Sequence, residues 1–336
     1  MRWNLRALLP KGCIIIFFFC CACDQRAQVP GVRGYTAHSA GQEQRTPDPG
    51  ADRGQMDPVA APDNPYPTIE SIPVPAGYRR MAAGRGSFGG WLRQIPLKKD
   101  RTVYLFDGSP KRNQNAQFAV LAVSVGNKDL QQCADAVMRL RAEFLYSQKD
   151  YADIDFYTAQ GMRLNFREWA SGRRVRLSGD QLVPYTLPAS SRRSPGTATG
   201  DTREPAGTTS SFGDDHTCFT AYLETVFSYC GTLSLEKQLV PAGDFANMQI
   251  GDVLIRGGAP GHAMLVVDMA ADSLGHRVYM LAQSYMPAQD IHLVNNPVDG
   301  TLSPWYRIDK EEPVIATPEW TFYTHQLRTW PKGPGR

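Results

Sequence analysis

Apolar residues recur at helical spacing along DLQQCADAVMRLRAEFLYSQ, with Leu130, Cys133, Ala134, Val137, Leu140, Phe144 and Leu145 on one stripe. The pattern predicts a helix whose start Asn127 or Asp129 caps, and it assigns Cys133 to the core. A second stripe runs through SFGDDHTCFTAYLETVFSYCGT, carried by Phe219, Tyr222, Leu223, Val226, Phe227 and Cys230. Asp215 or Thr217 is placed to cap this helix and Gly231 to stop it. Shorter strand-like runs occupy 103–106, 117–125, 161–169 and 173–177 before the second helix. After it come 252–256, 262–268, 278–284 and 291–294, with connections of hairpin length at 257–261 and 271–276. These elements predict an α+β protein, in which a helix is followed by a meander of antiparallel strands.

Two stretches lack any periodicity. Residues 24–64 are rich in Gly, Pro, Gln, Arg and Asp and cannot bury a core, so with Cys23 they read as a disordered tether, 23–64. A second low-complexity run, 188–211, reads as a disordered loop. It divides an expected domain at 65–330 into an N-terminal part, 65–187, and a second part, 212–330, followed by a tail at 331–336.

The first residues, MRWNLRALLPKGCIIIFFFCCACDQ, place Arg2, Arg6 and Lys11 before an apolar run from Gly12 to Ala22. That run is too short to span a bilayer and has the length of a signal-peptide core. A small residue, Ala22, precedes Cys23, which suits cleavage at 1–22 and lipidation of Cys23. The expected location is the bacterial cell envelope, with a membrane as partner through the lipid. The net charge of +3 is dispersed and gives no footprint for nucleic acid. Cys133, Cys218 and Cys230 remain beyond the signal. Cys218 and Cys230 lie twelve residues apart on one helix, roughly 18 Å at about 1.5 Å per residue, which excludes a disulfide between them.

Among these residues Cys218 stands out, because unpaired N–H groups at a helix start favour a thiolate. A thiol nucleophile needs a histidine to move its proton and a polar group to orient that histidine. His262 opens a strand after a glycine turn, and Gln283 lies on the next strand, so Cys218, His262 and Gln283 form one sensible triad. His216 and Asp214 match no metal-ligand spacing, and neither a metal nor a cofactor is expected. Trp305, Tyr306 and Met286 are groove-lining candidates, with packing the commoner use of such aromatics.

The helix with its early cysteine, followed by GDVLIRGGAPGHAMLVVDMA and VYMLAQS, resembles the core of papain-like cell-wall hydrolases, the NlpC-type endopeptidases and CHAP amidases. This resemblance implies a papain-like core of one helix on an antiparallel sheet in 212–330, with an N-terminal α+β extension. It also implies the third site residue on the strand after the histidine, here Gln283. Those enzymes usually present Asp-Cys at the helix start, whereas this chain has Thr217-Cys218-Phe219. A wider resemblance, through QQCADAVMRLRAEFLYSQ, LAQSYMPAQDIHLV and SPWY, is to an uncharacterised lipoprotein family, domain of unknown function 4846.

Two functions fit. One is an anchored lipoprotein that binds an envelope or cell-wall component in a papain-like cleft, preferred here because resemblance in fold does not imply chemistry. The other is a cysteine peptidase or amidase cutting amide bonds of cell-wall peptides, with Cys218 as nucleophile and His262 as base. The processing reading has a direct check: palmitate fed to cells should label the protein, and Cys23→Ser should abolish the label. Label that persists in Cys23→Ser moves the lipid elsewhere, and an unlabelled parent chain removes it.

Overall fold

Helix starts in this chain are set by side chains that accept backbone N–H groups, and strands by runs that lose water on both faces. The computed structural model describes residues 63–188, 215–309 and 311–331. The expected signal peptide, Cys23, and nearly all of the tether and the 188–211 loop lie outside them. Near the start of the described residues, the side-chain amide of Asn64 donates to the carbonyls of Tyr66 and Lys98, both at 3.0 Å.

In chain order the first elements are β1 (Arg79–Arg80), α1 (Phe88–Arg93), β2 (Gln117–Val120) and α2 (Cys133–Ser147). Then come β3 (Asp155–Tyr157), β4 (Arg163–Asn165), α3 (Phe166–Ala170), β5 (Arg173–Ser178) and β6 (Gln181–Thr186). Two helices follow, α4 (His216–Tyr229) and α5 (Thr232–Gln238), then β7 (Val240–Pro241) and β8 (Val253–Arg256). The long strands β9 (His262–Ala271) and β10 (Arg277–Gln283) precede β11 (His292–Val294) and β12 (Tyr306–Arg307). The chain closes with β13 (Val314–Ala316), β14 (Thr321–Tyr323) and β15 (Leu327–Thr329).

The main sheet runs β2-β11-β10-β9-β8-β15-β7, with β1 also on β9 and β12 also on β10. Every pairing among the described strands is antiparallel. On one face Ala263, Leu265, Val267 and Met280 pack with Val137, Leu140 and Phe144 of α2. On the other, Met264, Val266 and Leu281 pack with Ile315 and Phe322 of the β13–β14 hairpin. Burial on both faces explains why HAMLVVDMA reads as a continuous apolar run and not as an alternation.

The fold is α+β, as the sequence predicts, and its two parts share one sheet. Strand β2, from the first part, pairs with β11, and α2 lies on β9. The described residues from 63 onward belong to one compact unit. Within 161–169 only β4 is extended, because Asn165 accepts the Glu168 N–H at 3.2 Å and starts α3 instead. The 103–106 run makes only isolated bridges, Tyr104 to Pro110 and Leu105 to Gln289.

The N-terminal elements are tied to the sheet by one carboxylate. Asp268, fully buried on β9, accepts Arg80 Nε and Arg93 Nε, each at 2.7 Å, and the Met269 N–H at 2.8 Å. Removing the acceptor strands the Arg93 guanidinium in the interior. Asp268→Ala should therefore lower unfolding free energy by about 3–5 kcal/mol in denaturant titration; a loss below about 1 kcal/mol would contradict this role.

Candidate functional site

His262 begins β9 directly after a turn that only glycine fits. A Cβ on Gly261 would sit 2.4 Å from the Gly258 carbonyl oxygen and 2.8 Å from that of Arg256, too close for any side chain. The His262 ring is 1% exposed and packs against the rings of Tyr285, Trp320 and Phe322, with centroids at 4.8, 5.2 and 5.8 Å. Its Nε2 lies 2.7 Å from Oε1 of Gln283, the last residue of the neighbouring β10. Among the described residues its Nδ1 carries no hydrogen bond. The structure thus brings His262 and Gln283 together.

Gln283 is the hub of a buried polar chain. Its Nε2 donates to Glu319 Oε2 at 2.9 Å and lies 3.2 Å from His292 Nε2. His292 Nδ1 is 2.9 Å from the Asp290 carbonyl oxygen. Glu319 also accepts Lys111 Nζ at 2.5 Å and Asn113 Nδ2 at 3.2 Å. Burial pushes His262 down to about 4, the Lys111 charge adds to this, and the bond to Gln283 opposes it. His292 is pushed down to about 3, by burial first and the Lys111 charge second. Both imidazoles are therefore neutral at pH 7.

The thiols divide differently from the expectation. Cys218 lies in the first turn of α4, as predicted, and its N–H donates to the Asp215 cap at 2.7 Å. Its sulfur, however, is fully buried beside the Arg174 guanidinium of β5, on a helix packed against α2 and α3. Cys133 is the first residue of α2, the helix laid on β9, and its sulfur lies near the backbone of Ala263, the residue after His262. Burial first, then the Glu319 carboxylate and Cys133, raise the phenol of Tyr285, whose ring is tilted against that of His262. Burial pushes the Cys133 thiol up to about 11, with the Asp135 carboxyl adding to it. Cys230 is pushed up to about 12 by burial.

The apolar stripe assigns Cys133 to the core and Cys133 is buried, but α2 starts later than the expected cap at Asn127 or Asp129. The actual N-cap is Gln132, whose N–H donates to Asp135 at 3.0 Å, while Asp129 accepts Gln132 Nε2 and the Ala288 N–H. Cys133 is thus both buried and the first residue of α2. Lys111, His292 and Glu319 had no signal in the sequence, since each stands in an isolated polar context. His216 packs on Tyr146 and lies 3.5 Å from Glu143, and Asp214 lies outside the described residues. Trp305 is buried and donates to the Pro73 carbonyl, Tyr306 donates to that of Asn295, and Met286 is exposed. Among the described residues no group of His, Cys, Asp and Glu is arranged to hold a metal ion, and no helix is long and apolar enough to cross a membrane. A cavity of about 850 Å³, bordered by Arg141, Tyr157, Lys237 and Trp330, contains neither His262 nor Cys133.

A family model described as domain of unknown function 4846 matches residues 69–194 and 198–329. No curated protein and no solved structure matches the chain.

Proposed function

This chain belongs to the family of domain of unknown function 4846, and from the arrangement around His262 we propose that it is a thiol hydrolase of amide bonds. In this reading Cys133 is the nucleophile, His262 the base and Gln283 the residue that orients it. The observation that carries the reading is the 2.7 Å His262–Gln283 contact on adjacent strands, with a helix starting at Cys133 laid on the histidine's strand. A papain-like core accounts for this order of helix, histidine strand and orienting strand. The core is then built from α2 and β8–β11, and it draws its helix from the first half of the chain.

The chemistry follows from the protonation states. A thiol near 11 and an imidazole near 4 rest as a neutral pair, so the proton leaves sulfur only as sulfur attacks. Cys133 Sγ adds to the carbonyl carbon and its proton passes to His262 Nδ1. The C–N bond breaks as His262 protonates the leaving amine, giving a thioester. Water, deprotonated by His262, then cleaves the C–S bond, releases the acid and restores the thiol. Lipidation at Cys23 puts this chemistry at the envelope, and the likeness to NlpC-type and CHAP enzymes points to cell-wall peptides as substrate. Burial of the His262 ring favours the second reading, a lipoprotein that binds such peptides without cutting them.

The test is incubation of the full chain with purified muropeptides, reading new amino and carboxyl termini by mass spectrometry. Cys133→Ala and His262→Ala should each lower turnover by about 100-fold or more, and Cys218→Ala by less than about threefold. Turnover that survives Cys133→Ala overturns the assignment; binding without turnover in the parent chain leaves the second reading.

A further inference from the structure

We propose that Glu319, held by Lys111, is a positioning residue that locks the Gln283 amide in one orientation and thereby sets the tautomer of His262. The role in catalysis rests on the hydrolase reading above; the lock itself rests on hydrogen-bond geometry.

A primary amide presents one acceptor and one donor end, and the two are exchanged by a half-turn about its last bond. Glu319 accepts from Lys111 and Asn113, so it meets Gln283 as an acceptor. At 2.9 Å from Glu319 Oε2 the amide must present its NH2; the opposite orientation would set two oxygens against each other there. With NH2 at Glu319, Oε1 faces His262 Nε2 at 2.7 Å, and that nitrogen must carry the proton. His262 Nδ1 is then the unprotonated atom, the one able to take a proton from a thiol.

The far end of the chain agrees independently. The second amide hydrogen of Gln283 points to His292 Nε2 at 3.2 Å, which must then be an acceptor. His292 Nδ1 is left with the proton and donates it to the Asp290 carbonyl at 2.9 Å, an atom that can only accept. One acceptor at each end therefore fixes every proton between them. Sequence position gives no hint of this, since Lys111 and Glu319 lie far from His262 along the chain.

The measurement is nitrogen-15 NMR of the histidine rings in the full chain, alongside steady-state kinetics on muropeptides. In the parent chain at pH 7, His262 should be the Nε2–H tautomer and His292 the Nδ1–H tautomer; the reverse at either ring overturns the lock even if no variant folds. Glu319→Ala should convert His262 to a mixture of tautomers and lower kcat by about tenfold, with KM changed by less than about twofold. Glu319→Gln keeps an acceptor oxygen and should restore the single tautomer and most of kcat. A single Nε2–H tautomer in Glu319→Ala overturns the proposal while leaving the hydrolase reading intact. A tautomer shift in a chain that never turns over muropeptides upholds the lock and removes the hydrolase.

Discussion

Strand β9 is out of water on both faces, so each polar side chain it carries must find its partner inside the protein. It carries two, and their solutions organise the molecule. Asp268 takes two arginines from the N-terminal elements and binds β1 and α1 to the sheet. His262, at the other end, takes Gln283 from the next strand. The same double burial fixes what flanks the strand: α2 on one face, which brings Cys133 to the Ala263 backbone, and the β13–β14 hairpin on the other, whose connecting turn brings Glu319 to Gln283. Fold and site are two consequences of one buried strand.

Burial also sets the character of the chemistry. Water exclusion disfavours both the thiolate and the imidazolium, which is why Cys133 is pushed up to about 11 and His262 down to about 4. Such a pair holds no stored charge, unlike a thiolate–imidazolium pair exposed in a cleft. In the proposed hydrolase, reactivity depends on where the imidazole proton sits before attack, which we propose the polar chain from Glu319 to Asp290 sets. Lys111 is needed as the counter-charge to Glu319, yet its own charge makes protonation of both histidines harder.

Much of this was legible in the residues. The stripes of α2 and α4, the strands β8–β11 and the Gly261-His262 turn follow from local periodicity and from glycine, which is why the helices and the meander were found. The neighbourhood of His262 and Gln283 followed from a short hairpin connection. The burial of Cys133 was legible from the stripe, but its place at the helix terminus was not, because the Gln132–Asp135 cap lies beyond the expected Asn127 or Asp129. The sharing of one sheet between the two parts escaped as well, since the pairing of β2 with β11 spans the low-complexity loop and leaves no local trace. Lys111 and Glu319 are brought to Gln283 by tertiary packing alone.

Everything in the proposed chemistry turns on Cys133, and not Cys218, being the thiol paired with His262. That pairing is tested most directly by treating the full chain with a peptidyl chloromethyl ketone and locating the adduct by mass spectrometry. Cys133 should be alkylated well ahead of Cys218 and Cys230, with the Cys133 rate falling sharply in His262→Ala. Adduct on Cys218 first, or a Cys133 rate indifferent to His262→Ala, would contradict it.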